Sequence, residues 1–122
     1  MRFAGSTMDF AALYRLISVL ETYKKESLTV EKIHSLIKEK QFKFLREIDQ
    51  LNHPEINRKN LIMNNSDSHG HFLSFKVSSI EKCQEIHRLL KSKKVITDFR
   101  QNYLRFGFGP YLQDFNLSKL LN

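Results

Sequence analysis

Val95-Ile96-Thr97-Asp98-Phe99-Arg100-Gln101-Asn102-Tyr103-Leu104-Arg105-Phe106-Gly107-Phe108 decides the fold. It reads as two short strands, Val95–Phe99 and Tyr103–Phe108, joined by a tight turn at Arg100-Gln101-Asn102. Pro110 then stops the second strand, because it has no amide hydrogen to give to a ladder. Side chains alternate along a strand, so Leu104 and Phe106 face one way and Tyr103, Arg105 and Gly107 the other. An arginine flanked by apolar residues is either paired inside the fold or held ready for an anion.

Working outward, the period of two returns from Gly70, with Leu73, Phe75 and Val77 on one side and Phe72, Ser74 and Lys76 on the other. Ser78 and Glu81 have capping-box spacing and open a helix whose apolar positions are Ile80, Cys83, Ile86, Leu89 and Leu90. Leu61-Ile62-Met63 suits a further short strand, and Asn64-Asn65-Ser66-Asp67-Ser68 a polar loop. Upstream, Asp9 can cap a first helix with an apolar stripe of Phe10, Leu13, Tyr14, Ile17 and Leu20. Glu26-Ser27-Leu28 breaks that pattern. Thr29 then caps a longer helix with the stripe Ile33, Leu36, Ile37, Phe44, Ile48 and Leu51, which should end before Pro54. Tyr111 to Leu121 reads as a closing amphipathic helix. The expected fold is α+β: one domain over residues 1–122, with two long helices ahead of a small, largely antiparallel sheet of three to four strands. Helices pack on one face of that sheet.

A chain of 122 residues with 41% hydrophobic and 27% charged residues is long enough to bury a core and suits a globular protein. No apolar run approaches a membrane span, and Met1-Arg2 is not followed by a signal-peptide pattern, so a cytoplasmic location is expected. The single cysteine, Cys83, excludes an intrachain disulfide and lies on an apolar helix stripe, as a core thiol would. The net charge of +7 raises the question of a nucleic-acid partner. The lysines are spread over several helices beside glutamates, which reads as a solvated surface. His69 and His71 share one side of an extended segment, but spacing places no third ligand, so no metal site is expected. There is no Ser-His-Asp, HExxH, Walker or GxGxxG pattern.

The wording of Lys94-Val95-Ile96-Thr97-Asp98-Phe99-Arg100 and of Tyr103-Leu104-Arg105-Phe106-Gly107-Phe108-Gly109-Pro110 resembles the last segment of kynureninase-like enzymes. These belong to the class V, fold-type I pyridoxal-phosphate enzymes. Arg2-Phe3-Ala4-Gly5-Ser6-Thr7-Met8 resembles the family's "RF--GT" segment, and Leu51-Asn52-His53-Pro54-Glu55-Ile56-Asn57-Arg58 and Gly70-His71-Phe72-Leu73-Ser74-Phe75 have the same look. The resemblance covers nearly all 122 residues but only the last part of the family's chain. Met8-Asp9 departs from it, standing where relatives often carry proline.

That resemblance implies a small C-terminal domain with a linking helix. Arg105 would grip the substrate's α-carboxylate. Thr7, with Ser6, would contact the cofactor phosphate of the neighbouring subunit in a homodimer, and Arg100 and Tyr103 would line the active-site rim. No catalytic residue is carried over. The Schiff-base lysine and the aspartate on the pyridine nitrogen belong to the family's large domain, and none of that domain is among these residues. The chain is thus expected to complete an active site with a missing or separately encoded large domain, and to be inactive alone. Hydrolysis at a β-carbon is the leading chemistry, with transamination and desulfuration sharing the same domain. The stripe Phe10, Leu13 and Ile17 should stand exposed where the large domain would cover it, and the Arg105 guanidinium should be free of a closed ion pair. From spacing alone, pairing of Arg105 with Asp98 across the hairpin is an equal alternative. The competing functional reading is a small basic binding module for a nucleic-acid or protein partner. It requires clustered lysines with aromatics beside them.

Overall fold

The computed structural model describes residues 10–62 and 70–112, together with Leu117 and Leu121. Helix α1 spans Phe10–Lys25 and α2 Val30–Leu51. A short 3₁₀ turn at Arg58–Asn60 leads to β1, Leu61–Ile62. Strand β2 is Phe72–Lys76, α3 Ile80–Ser92, β3 Asp98–Arg100 and β4 Tyr103–Gly107. The four strands form one antiparallel sheet in the order β1-β2-β4-β3. The fold is therefore α+β, with two long helices ahead of the sheet. Contacts divide the chain into two compact units, residues 1–33 and 34–122.

In the first unit α1 runs a turn beyond the apolar stripe and buries none of its residues. Phe10, Leu13 and Ile17 are 53%, 41% and 41% exposed, as expected of an uncovered stripe. The helix ends in a Schellman motif. Leu28 donates to Tyr23 and Ser27 to Lys24, with Ser27 in the left-handed region at φ 51°. Thr29 then caps α2, its Oγ1 accepting from the Lys32 amide at 3.2 Å.

In the second unit the sheet buries one face. Leu73, Phe75 and Val77 from β2 and its end, and Leu104, Phe106 and Phe108 from β4 and its end, are all buried. Phe44 of α2 sits on them, with ring centroids 5.0 Å from Phe106, 5.3 Å from Phe108 and 6.3 Å from Phe75. Helix α2 adds Ile37, Leu45 and Ile48, and α3 adds Cys83, Ile86 and Leu90. Gln41 is buried too, a polar residue on the apolar stripe, and its amide donates to the Gly70 carbonyl at 3.1 Å. Burying it without such a partner would be costly.

Helix α2 ends before Pro54, as expected, and a hydrogen-bonded knot follows. His53 Nδ1 accepts from the amides of Glu55 and Ile56 at 3.2 and 2.9 Å. Asn57 caps the 3₁₀ turn and donates to the His53 and Pro54 carbonyls. The Glu55 carboxylate accepts from the Ser78 amide at 2.9 Å and from the Ser78 hydroxyl. Ile56 sits beneath, fully buried.

Three local expectations change. The cap of α3 is Ser79, whose hydroxyl accepts from the Lys82 amide, because Glu55 engages Ser78 instead. Strand β3 begins at Asp98, not Val95. The Val95 amide closes a second Schellman motif onto Leu90, with Lys94 left-handed at φ 63°, so the chain cannot join the ladder there. The turn between β3 and β4 is Gln101-Asn102, with Arg100 paired to Tyr103. Only Gln101 has positive φ, at 52°, which matches the type II′ hairpin pattern. Leu117 and Leu121 are helical and buried, whereas Tyr111 lies in a turn and is 87% exposed. Asp9, the 64–68 loop and most of the closing segment lie outside the described residues.

Candidate functional site

The strand register assembles the site on the sheet's other, open face. Asp98 pairs with Arg105 and Arg105 with Ser74, so β3, β4 and β2 place these three side by side. Arg100, Tyr103 and Lys76 form the row on one side of Arg105, and Gly107 and Phe72 the row on the other. Tyr103, Arg105 and Gly107 share this face, as alternation requires. The strand carrying Arg105 is central, flanked by β2 and β3. A central strand fixes the Cα of Arg105 by ladder bonds on both sides, which suits a residue that must present a charge at a set position.

The Arg105 guanidinium is held from two directions. Its Nη2 donates to Asp98 Oδ2 across the hairpin. Its Cζ lies 5.8 Å from the centroid of the Phe72 ring, within cation–π range. The expectation of a guanidinium free of an ion pair is thus corrected. The two-residue turn sets Asp98 opposite Arg105, and opposite charges at directly paired positions meet. The pair is unequal: the Arg105 side chain is 28% exposed and that of Asp98 66%. A pair with one partner so open to water contributes at most about 1 kcal/mol. The Arg105 Nε is buried without a hydrogen-bond partner among the described residues. The fork of a guanidinium is satisfied by an acceptor that takes two of its N–H groups, and Asp98 engages Nη2 alone.

Gly107 leaves room beside this group. A Cβ at this position would meet none of the described residues within 4 Å. The face also carries a cationic excess, with Arg100, Arg105 and Lys76 against Asp98. Arg100 is exposed and Tyr103 half-buried, both one row from Arg105, so the two rim residues inferred from the sequence share its face. Ser6 and Thr7 lie outside the described residues. A largely apolar cavity of about 210 Å³ is lined by Phe44, Ile96, Phe106, Gly107, Phe108 and Leu117; it shares Gly107 with the site but does not include Arg105.

The other candidates resolve into structural roles. His71 stacks on His34 with centroids 5.8 Å apart, and His69 is outside the described residues. Among the described residues no three potential ligands group for a metal. His87 Nδ1 lies 3.0 Å from the buried Thr97 hydroxyl, with its ring 5.0 Å from Phe99. Burial pushes the Cys83 thiol above its ordinary range. Among the described residues no helix is long and apolar enough to cross a membrane.

Of the two residues that meet Arg105, one is legible in the sequence. Asp98 is recoverable from the hairpin, because a two-residue turn that pairs Arg100 with Tyr103 must also pair Asp98 with Arg105. Phe72 is not, since its place depends on how β2 registers on β4. No family model, characterised protein or solved structure matches this chain.

Proposed function

We propose that this chain is the carboxylate-binding small domain of a kynureninase-like pyridoxal-phosphate enzyme, completing an active site whose cofactor is held by a large domain. The observation that carries the reading is Arg105. It stands on a central strand, faces the open side of the sheet, gives only Nη2 to Asp98 and, among the described residues, has clear space at Gly107. A planar guanidinium in that state matches a carboxylate in fork geometry. The exposed Phe10, Leu13 and Ile17 of α1 support a large partner domain, because uncovered apolar surface marks an interaction site.

The open face fits a substrate carboxylate and does not by itself fit pyridoxal phosphate. A Schiff-base lysine works as an amine in a desolvated site, and Lys76, the lysine on this face, is exposed. When bound in the complete enzyme, the cofactor would supply the electron sink. The work of this chain is to bind and orient the amino-acid substrate: Arg105 takes the carboxylate, with Arg100 and Tyr103 at the rim. Ser6 and Thr7 remain the proposed contacts to the cofactor phosphate, and a homodimer of the complete enzyme the proposed assembly.

The test follows the Arg105 Nε–Hε resonance in the full 122-residue chain during titration with L-phenylalanine or with L-phenylalaninamide, which lacks the carboxylate. A saturable shift with the acid alone supports the reading. An equal response to both, or to neither, overturns it.

A second reading, a basic module for single-stranded nucleic acid, draws on one observation. Phe72, half-exposed, shares its face with Tyr103, Lys76, Arg100 and Arg105. Stacking surfaces beside cations are what such partners use. Against it, Phe72 is already engaged by Arg105, and the lysines are spread over α1, α2 and α3. Salt-dependent binding of an oligonucleotide, abolished by Phe72→Ala, would favour this second reading.

A further inference from the structure

We propose that Asp98 is a built-in competitor for the Arg105 site, holding the guanidinium until a ligand carboxylate exchanges with it and so setting the affinity of the site. The inference rests on the reading of Arg105 as a carboxylate site and assigns a role to a residue outside it. The two residues are directly opposed in the β3–β4 register, and the Asp98 carboxylate meets Arg105 Nη2. Asp98 presents the same functional group as the ligand, at the position where the ligand's own carboxylate would bind.

Three features make the contact exchangeable. Asp98 is two-thirds exposed, so its carboxylate passes to water at little desolvation cost. It lies on an edge strand near the hairpin turn, where a side-chain rotation disturbs no core contact. It takes one N–H of the guanidinium only, so the pair is incomplete. Asp98 engages Nη2 alone, and an incoming carboxylate that takes both terminal Nη groups end-on gains a second bond that Asp98 does not supply. Arg105, by contrast, does not move freely: it is mostly enclosed, sits on a central strand and lies over Phe72. The exchange is therefore a movement of the aspartate about a fixed cation. With Asp98 engaged, the cation is neutralised and the face is protected from adventitious anions. With Asp98 displaced, its negative charge stands one strand away from the ligand, where it would favour the ammonium group of an amino acid over a simple carboxylate.

The experiment titrates the full chain with L-phenylalanine and with benzoate, following two signals: the Arg105 Nε–Hε resonance and the Asp98 side-chain carboxyl carbon. In the wild-type protein both should move together and saturate at one concentration. Asp98→Asn should bind benzoate about fivefold more tightly, the size expected when a half-exposed ion pair no longer competes. Its gain for L-phenylalanine should be smaller, because the attraction for the ammonium group is lost. Asp98→Ser serves as a second variant, with thermal melts checking that both fold. If Arg105 responds while the Asp98 carbon stays still, or if Asp98→Asn leaves the affinity unchanged, the competitor role is overturned and the carboxylate site stands. If Arg105 responds in neither wild type nor variant, the carboxylate site itself fails.

Discussion

Asn102 holds both backbone groups of Val77: its carbonyl accepts from the Val77 amide at 2.8 Å, and its side-chain amide donates to the Val77 carbonyl at 2.8 Å. The side chain thus extends the β2–β4 ladder by one bond past Tyr103, at the turn where β4 has run out. Val77 is buried, so its carbonyl has no ready substitute in water.

Replacing Asn102 by alanine should therefore lower stability by about 1–2 kcal/mol, the cost of stranding a buried acceptor. Urea unfolding would measure it. The midpoint should fall with little change in slope, since the surface exposed on unfolding is the same. Asn102→Asp, which accepts but cannot donate, should resemble alanine rather than wild type.

His53 supplies a pH dependence. Burial holds its pKa below the ordinary value, against the pull of Glu55 and with a smaller push from Lys82. Its Nδ1 accepts two amide hydrogens and cannot do so once protonated. The unfolded chain binds this proton more readily than the folded one, so stability is full above the unfolded pKa. It falls as pH drops below about 6.5 toward the folded value. Glu55 acts in the same direction at lower pH. Burial pushes its carboxyl up, but the bonds from Ser78 and the nearby His53 and Lys82 prevail and hold it below the usual range. Its contribution is lost as pH falls through that depressed value. Melting temperatures from pH 8 to pH 4 should decline in wild type. In His53→Ala, less stable throughout, the decline between pH 7 and pH 5.5 should be much flatter.

Phe44 and Phe42 lie two positions apart on α2 with opposite fates. Phe44 meets Phe75, Phe106 and Phe108 and is 3% exposed, whereas Phe42 is 62% exposed. Phe44→Ala should cost about 3–5 kcal/mol, enough to unfold much of a small domain. Phe42→Ala should stay within about 0.5 kcal/mol. Circular dichroism with thermal melting separates the two outcomes.

Cys83 should resist alkylation in the native protein. It is fully buried and its thiol is pushed up by burial, so the reactive thiolate is scarce and enclosed. Iodoacetamide labelling at pH 8 should proceed only as fast as the protein opens, and should become rapid in urea. Fast labelling of the folded chain would contradict the core position.

Much of this molecule is legible in local sequence. The alternation of Leu73, Phe75 and Val77 against Phe72, Ser74 and Lys76, and of Leu104 and Phe106 against Tyr103 and Arg105, marks both faces of the sheet. A pleated strand allows no other distribution. Thr29 and Pro54 bracket α2 because a cap and a missing amide act within one turn of the chain. Where local rules compete, they mislead. Ser78 reads as the cap of α3 from its spacing to Glu81, but Glu55, more than twenty residues earlier, engages Ser78 and Ser79 caps the helix instead. Val95 has strand propensity, yet its amide is taken by the end of α3.

By itself, then, the sequence determined the α+β class, the hairpin that carries Arg105 and the side of the sheet on which Arg105 stands. These follow from periodicities and caps that operate over a few residues. Only the tertiary structure decided what Arg105 meets there. Phe72 comes beneath it through the pairing of β2 with β4, across a separation that no local pattern encodes. Of the equal alternatives for Arg105, an ion pair or an open guanidinium, the fold selected an unequal pair with Asp98, because burial differs between a central strand and an edge strand. That difference leaves the guanidinium mostly enclosed and the carboxylate two-thirds open to water.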